Sequence, residues 1–214
     1  MTITMPRMNR LPAQERGLTI GDFLVPIRVS ERMNTRLRHV ALVAIGVLLI
    51  AIGAKIAIVI PGNPVPITGQ TFGVLVAGGA LGFRRGIAAS AIYVLLGVVG
   101  VPFFALGKTG IEVIWGATGG YLIGFVIAAA IVGRLAELGW DRNLVGAIGA
   151  MLIANAAIYV VAVPWLAWVT HNDLAWGIAN GLTPFIVGDG IKLALAAMAF
   201  PAAWWFVGRR PGDR

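Results

Sequence analysis

Residues 40–60 read VALVAIGVLLIAIGAKIAIVI, and Pro61-Gly62-Asn63-Pro64 follows at once. Lys55 is the one charge in that stretch. About 20 helical residues cross a ~30 Å hydrocarbon core, so the run reads as a membrane span. Five further apolar stretches lie beyond it, each closed by turn formers or charges. They cover about 65–82, ending at Phe83-Arg84-Arg85-Gly86; about 86–104, before a loop with Lys108 and Glu112; and about 116–135, closed by Glu137 to Asn143. The last two cover about 144–168, before His171-Asn172-Asp173, and about 181–207, before a short basic tail. Alternation at period two is absent, which argues against a β-barrel. The expected fold is an all-α integral membrane protein with six transmembrane helices.

The composition agrees. Hydrophobic residues make up 58% of the 214 and charged residues only 12%, half the usual quarter. A water-soluble fold of this size could not cover its surface with so few polar groups. The absence of Cys excludes disulfides, thiolate zinc sites and iron–sulfur clusters. His39 and His171 fall on opposite sides of the expected membrane and make no metal site. Gly107-Lys108-Thr109 looks like the end of a phosphate-binding loop, but the first glycine of that motif would be Pro102. No Ser–His–Asp arrangement can be argued, so neither catalysis nor a cofactor is expected.

The net charge of +8 is distributed unevenly. All 14 Arg lie in residues 1–39, the 83–86 turn, the connection after the fourth span or the C-terminal tail. With six spans these regions share one side, while Lys108 is the single Lys of the opposite loops. Lys and Arg mark the cytoplasmic side, which puts both termini in the cytoplasm. Topology thus accounts for the basic excess, and no nucleic-acid partner is implied. The expected organisation is a poorly ordered basic cytoplasmic tail over 1–39, a six-helix domain over 40–207 and a short basic cytoplasmic tail over 208–214. Gly116, Gly120 and Gly124, like Gly69 and Gly73, recur every four residues, a spacing that lets membrane helices approach closely.

Charged side chains near the bilayer centre cost about 2.5–3.5 kcal/mol or more. The short intramembrane polar list therefore carries information: Lys55, Gln70, Asn155, Asp189 and Lys192. Asp189 and Lys192 are three apart, on one helical face, and can neutralise each other. Such a pair can simply fix helix packing. However, Gly188 and Gly190 flank the Asp and Pro184 lies about a turn earlier. Helix-weakening residues at membrane depth mark backbone that lines a cavity, which favours a ligand site. Asn155 and Tyr159, four apart, offer an amide and a phenol from one face. Gln70 follows Pro64, Pro66 and Gly69, where its span begins irregularly. Lys55, near a helix end, can extend its stem outward.

The stretches PVPITGQTFGVLVAG (64–78), FRRG (83–86), GATGGYLIGF (116–125) and GDGIK (188–192) together resemble the BioY family. Those proteins are biotin-binding S components of energy-coupling factor (ECF) transporters, and the resemblance spans about residues 40–207. It implies a multi-pass protein of the bacterial cytoplasmic membrane that captures biotin from the outer side. Its implied partners are biotin, membrane lipid and either an ECF transmembrane coupling protein with ATPase subunits or further copies in a homo-oligomer. The site it implies has Asp189 accepting from the ureido N–H groups and Lys192 and Asn155 donating to the ureido carbonyl. Tyr159 and Tyr121 would supply aromatic walls, Gln70 a contact or a hold on its loop, and Lys108 the partner of the carboxylate. One departure concerns the Ala-x-x-x-Ala of the first span: here Ala44 meets Leu48 and Val47 precedes Ala51, with Gly53 and Ala57 as a displaced small pair. The competing expectations are an S component for another vitamin, a small membrane enzyme using Asp189 as a base, and a pore-forming oligomer.

Overall fold

The computed structural model describes residues 18–24 and 35–207, most of them helical. Helix α1 is Gly21–Leu24 and α2 is Thr35–Lys55. Strands β1 (Ala57–Ile58) and β2 (Ile67–Thr68) pair antiparallel, with Ala57 opposite Thr68 and Ile58 opposite Ile67. Helices α3 (Gln70–Leu81), α4 (Phe83–Val98), α5 (Glu112–Trp115) and α6 (Gly119–Glu137) follow. Then come α7 (Leu144–Val169), α8 (Leu174–Gly181) and α9 (Ile186–Val207). Short 3₁₀ turns occupy Ala105–Gly107, Trp140–Arg142 and Thr183–Phe185.

Among the described residues, four stretches are long and apolar enough to cross a membrane: Arg36–Lys55, Gly119–Glu137, Leu144–Val169 and Leu174–Phe206. The other two expected spans become shorter helices, α3 with 12 residues and α4 with 16. At ~1.5 Å per residue they reach roughly 18 and 24 Å. The cause lies in the backbone. Pro64 and Pro66 lack an N–H, so the chain enters extended and pairs β2 with β1 before α3 begins. Gly82, at φ 82°, then turns the chain between α3 and α4 in a conformation that only glycine adopts readily. The last span is also interrupted. Its break falls at Leu182 and the Thr183–Phe185 turn, where Pro184 sits, whereas α9 runs unbroken through Gly188 and Gly190.

Close backbone approaches join the helices. A Cβ on Gly53 would stand 2.6 Å from the Gly69 carbonyl oxygen, so α2 and the start of α3 touch through backbone. Along α6, a Cβ on Gly120 or Gly124 would lie 2.9 Å from the Cα of Ala162 or Ile158 on α7. These two do serve packing, as their spacing suggests. Gly116 does not join them: it precedes α6, and its carbonyl accepts a 3.0 Å bond from Trp165 Nε1.

Contacts define two ends of the bundle. At one, Asp22 pairs with Arg85 at 2.7 Å and with Arg38 at 3.9 Å, and Arg38 also donates to the Asp22 carbonyl. There Phe23 meets the Trp204 ring edge-on, Trp204 Nε1 donates to Asp141 at 2.7 Å, and Glu137 accepts from the Phe83 N–H. The start of α2, the α3–α4 turn, the α6–α7 connection and the last turns of α9 therefore meet. At the other end Lys55 Nζ donates to the Pro102 carbonyl at 2.7 Å, and Asn63 Nδ2 to the Asn180 carbonyl at 2.8 Å.

Part of the expected poorly ordered tail is thus built into the bundle. Thr19 and Ile20 are buried, Asp22 Oδ2 accepts from the Thr19 N–H, and the two arginines compensate the carboxylate. An apolar side chain and a doubly paired Asp within four residues supply what the arginine-rich composition concealed. Residues 1–17, 25–34 and 208–214, the rest of the expected tails, lie outside the described residues.

Candidate ligand-binding site

Asp189, in the first turn of α9, organises the polar centre of the molecule. It is 4% exposed. Its Oδ1 accepts from Lys192 Nζ at 2.9 Å, one turn along the same helix. Its Oδ2 accepts from Tyr159 OH at 2.5 Å and from Asn155 Nδ2 at 3.3 Å, both on α7. The i,i+3 and i,i+4 pairs expected from spacing therefore close on one another as a single four-residue network. A buried carboxylate is tolerable only when paired and hydrogen-bonded, and this one is both.

Beside the network lies a cavity of about 670 Å³, counting its open mouth. Gln70, Lys108, Tyr121, Tyr159 and Lys192 line it directly. Apolar side chains, among them Val65, Phe104, Leu122, Phe125 and Phe185, form its walls. Of the seven residues singled out from the sequence, five line this space; Asp189 is hydrogen-bonded to two of them, Tyr159 and Lys192, and Asn155 is hydrogen-bonded to Asp189. Ligand pockets typically pair such apolar walls with a few fixed polar groups.

The remaining polar groups sort by what they touch. Tyr121 OH donates to the Gly181 carbonyl at 2.5 Å, tying α6 to the end of α8, while its ring meets Tyr159 and Phe185. Gln70 is buried; its Nε2 donates to Tyr93 OH at 2.5 Å and its Oε1 accepts from Thr68. Tyr93 OH donates in turn to the Phe103 carbonyl at 3.0 Å. Gln70 thus holds the 102–108 loop through Tyr93, a residue the sequence analysis did not select. The signal for it was available, since Tyr93 is a lone phenol inside an apolar span. Lys55 anchors the same loop at Pro102 and does not line the cavity. Asn155 Nδ2 spends one N–H on Asp189 at 3.3 Å, and its buried Oδ1 has no hydrogen-bond partner.

The chain is similar to known proteins over most of its length. A transporter from Thermotoga maritima described as biotin transporter BioY is 40% identical over 150 residues, 70% of this chain and 86% of the relative. A probable biotin transporter BioY from Pyrococcus horikoshii is 39% identical over 161 residues, 75% of this chain and 93% of the relative. Among solved structures, the S-component for biotin from an ECF-type ABC transporter superposes with a TM-score of 0.73 at 26% identity, covering 79% of this chain and 93% of that one. The sequence model of the BioY family matches residues 28–209, a range that takes in every helix of the cavity. This chain belongs to the BioY family.

Proposed function

We propose that this protein takes up biotin across the cytoplasmic membrane as the biotin-binding S component of an ECF-type transporter. The observation that carries the proposal is the Asp189–Lys192–Tyr159–Asn155 network set against an apolar, aromatic-walled cavity, in a chain whose family relatives carry the name biotin transporter. Biotin pairs a ureido group with an apolar ring and a carboxylate-ended tail. Asp189 Oδ1 accepts one donor and retains a lone pair for a ureido N–H. Asn155 Oδ1 is a second buried acceptor, and Lys192 donates to the ureido carbonyl. Tyr159 and Tyr121 wall the ring. Gln70 orders the loop, and Lys108 meets the carboxylate.

In this account the protein is not an enzyme. ATP hydrolysis belongs to separate ATPase subunits, joined through a transmembrane coupling protein. In this reading the chain crosses six times, with α3 and α4 as the short crossings, so both termini share one side, the cytoplasm. The meeting of Asp22, Arg38, Arg85 and Trp204 at one end supports an even number of crossings. The arginines there support that end as the cytoplasmic one, and the cavity then opens to the outer side.

Uptake of labelled biotin by cells expressing the protein with coupling and ATPase subunits tests this. Uptake is expected to be abolished by excess unlabelled biotin and unaffected by riboflavin or thiamine. Uptake no greater than in cells lacking the protein would contradict it.

A further inference from the structure

A second concavity adjoins the first, on the side of the 107–118 segment. It measures about 860 Å³, counting its open side. Lys108, Val113 and Thr118 line both spaces and so form their common wall. Beyond that wall the outer space is bordered by Pro64, Thr109 and Glu112. Glu112 does not line the inner cavity, whereas Tyr159 and Lys192 of the Asp189 network line the inner cavity and not the outer space.

This arrangement fixes a direction for the ligand. If the ureido ring is held by Asp189 and Lys192, the valerate tail runs toward Lys108, and its end stands at the wall shared with the outer space. We propose that the outer space is an extension subsite, and that the protein binds biotin amides enlarged at the carboxyl end, above all those carrying an amine that Glu112 can pair with. Biotinyl-lysine carries this group: a neutral amide where biotin has its carboxylate, then a four-carbon chain to a carbon that bears an α-ammonium beside an α-carboxylate. Substituents on the ureido nitrogens have no such space, because that end meets the packed α7–α9 network.

The inference rests on the biotin reading of the inner cavity, and the experiment separates the two. Calorimetric titrations of the full-length detergent-purified protein use biotin, biotin primary amide and biotinyl-lysine. Biotinyl-lysine is expected to bind saturably, within about tenfold of the primary amide. Glu112→Gln is expected to weaken biotinyl-lysine by about two- to five-fold, the scale of an exposed ion pair, and to leave biotin unchanged. Binding of biotin and its primary amide without biotinyl-lysine would overturn the extension subsite alone. An equal effect of Glu112→Gln on all three ligands would overturn the pairing with the amine. Failure of biotin itself to bind would overturn the inner-cavity reading, and the subsite with it.

Discussion

Tyr159 reaches from α7 to Asp189 on α9 and donates its phenol proton at 2.5 Å, so the carboxylate is engaged by its own chain before any ligand arrives. Lys192 and Asn155 complete the set. The network compensates a buried charge, joins two helices and fixes the side chains that face the cavity. Ligand recognition then adds donors and acceptors to groups already in place, which limits the ordering cost of binding.

Replacing Asp189 by Asn removes the charge that anchors Lys192 while keeping the shape of the side chain. Biotin affinity is expected to fall by about 1–3 kcal/mol, the scale for a buried hydrogen bond to a charged group. Isothermal titration of the monodisperse variant measures this. Unchanged affinity would assign the pair to helix packing alone.

Lys108 stands at the mouth of the cavity, exposed, and is four residues from Glu112. Lys108→Ala is expected to weaken biotin while sparing its uncharged primary amide, because only the former offers a carboxylate. Parallel titrations with the two ligands decide; an equal loss would take Lys108 away from that role.

Tyr93→Phe deletes one hydroxyl that accepts from Gln70 and donates to the Phe103 carbonyl. Both partners would then lack a bond in a buried setting. The variant is expected to lose roughly 1–3 kcal/mol of stability, read as a lower midpoint of thermal unfolding in detergent. A midpoint equal to that of the unaltered protein would show that the 102–108 loop is held by other contacts.

Asp141, in the α6–α7 connection, is 3% exposed. Burial pushes its carboxyl up to about 6, against the opposing effects of the Trp204 hydrogen bond and the Arg142 charge. The folded state therefore holds the proton more tightly than the unfolded chain, whose Asp titrates near 4. The resulting stabilisation is full below about pH 4 and is lost as pH rises through about 6. Asp141→Asn is expected to show less gain in thermal midpoint between pH 7.5 and pH 5 than the unaltered protein. Superimposable pH dependences would contradict this.

Legibility in the sequence followed the strength of the local signal. Apolar runs reveal membrane helices because the hydrocarbon core demands them, and α2, α6 and α7 lie within about five residues of their expected limits. Asp189 with Lys192, and Asn155 with Tyr159, were visible because helical spacing puts each pair on one face; that the pairs meet each other depends on how α7 packs on α9. The extended entry into α3 was hinted at by Pro64 and Pro66, but its pairing with β1 is tertiary. The seating of residues 18–24 depends on Arg85 and Trp204, 63 and 181 positions from Asp22 and Phe23, a relation that no local pattern encodes. Tyr93 was visible as a lone phenol in an apolar span, but its partner was not, since the bond from Gln70 on a neighbouring helix is tertiary.

The most direct test of the account is calorimetric titration of biotin into the detergent-purified protein without any partner subunit, with riboflavin and thiamine in parallel. The account predicts saturable binding of biotin alone, near one molecule per chain. No binding of biotin by a folded, monodisperse sample would contradict it, as would equal binding of all three vitamins.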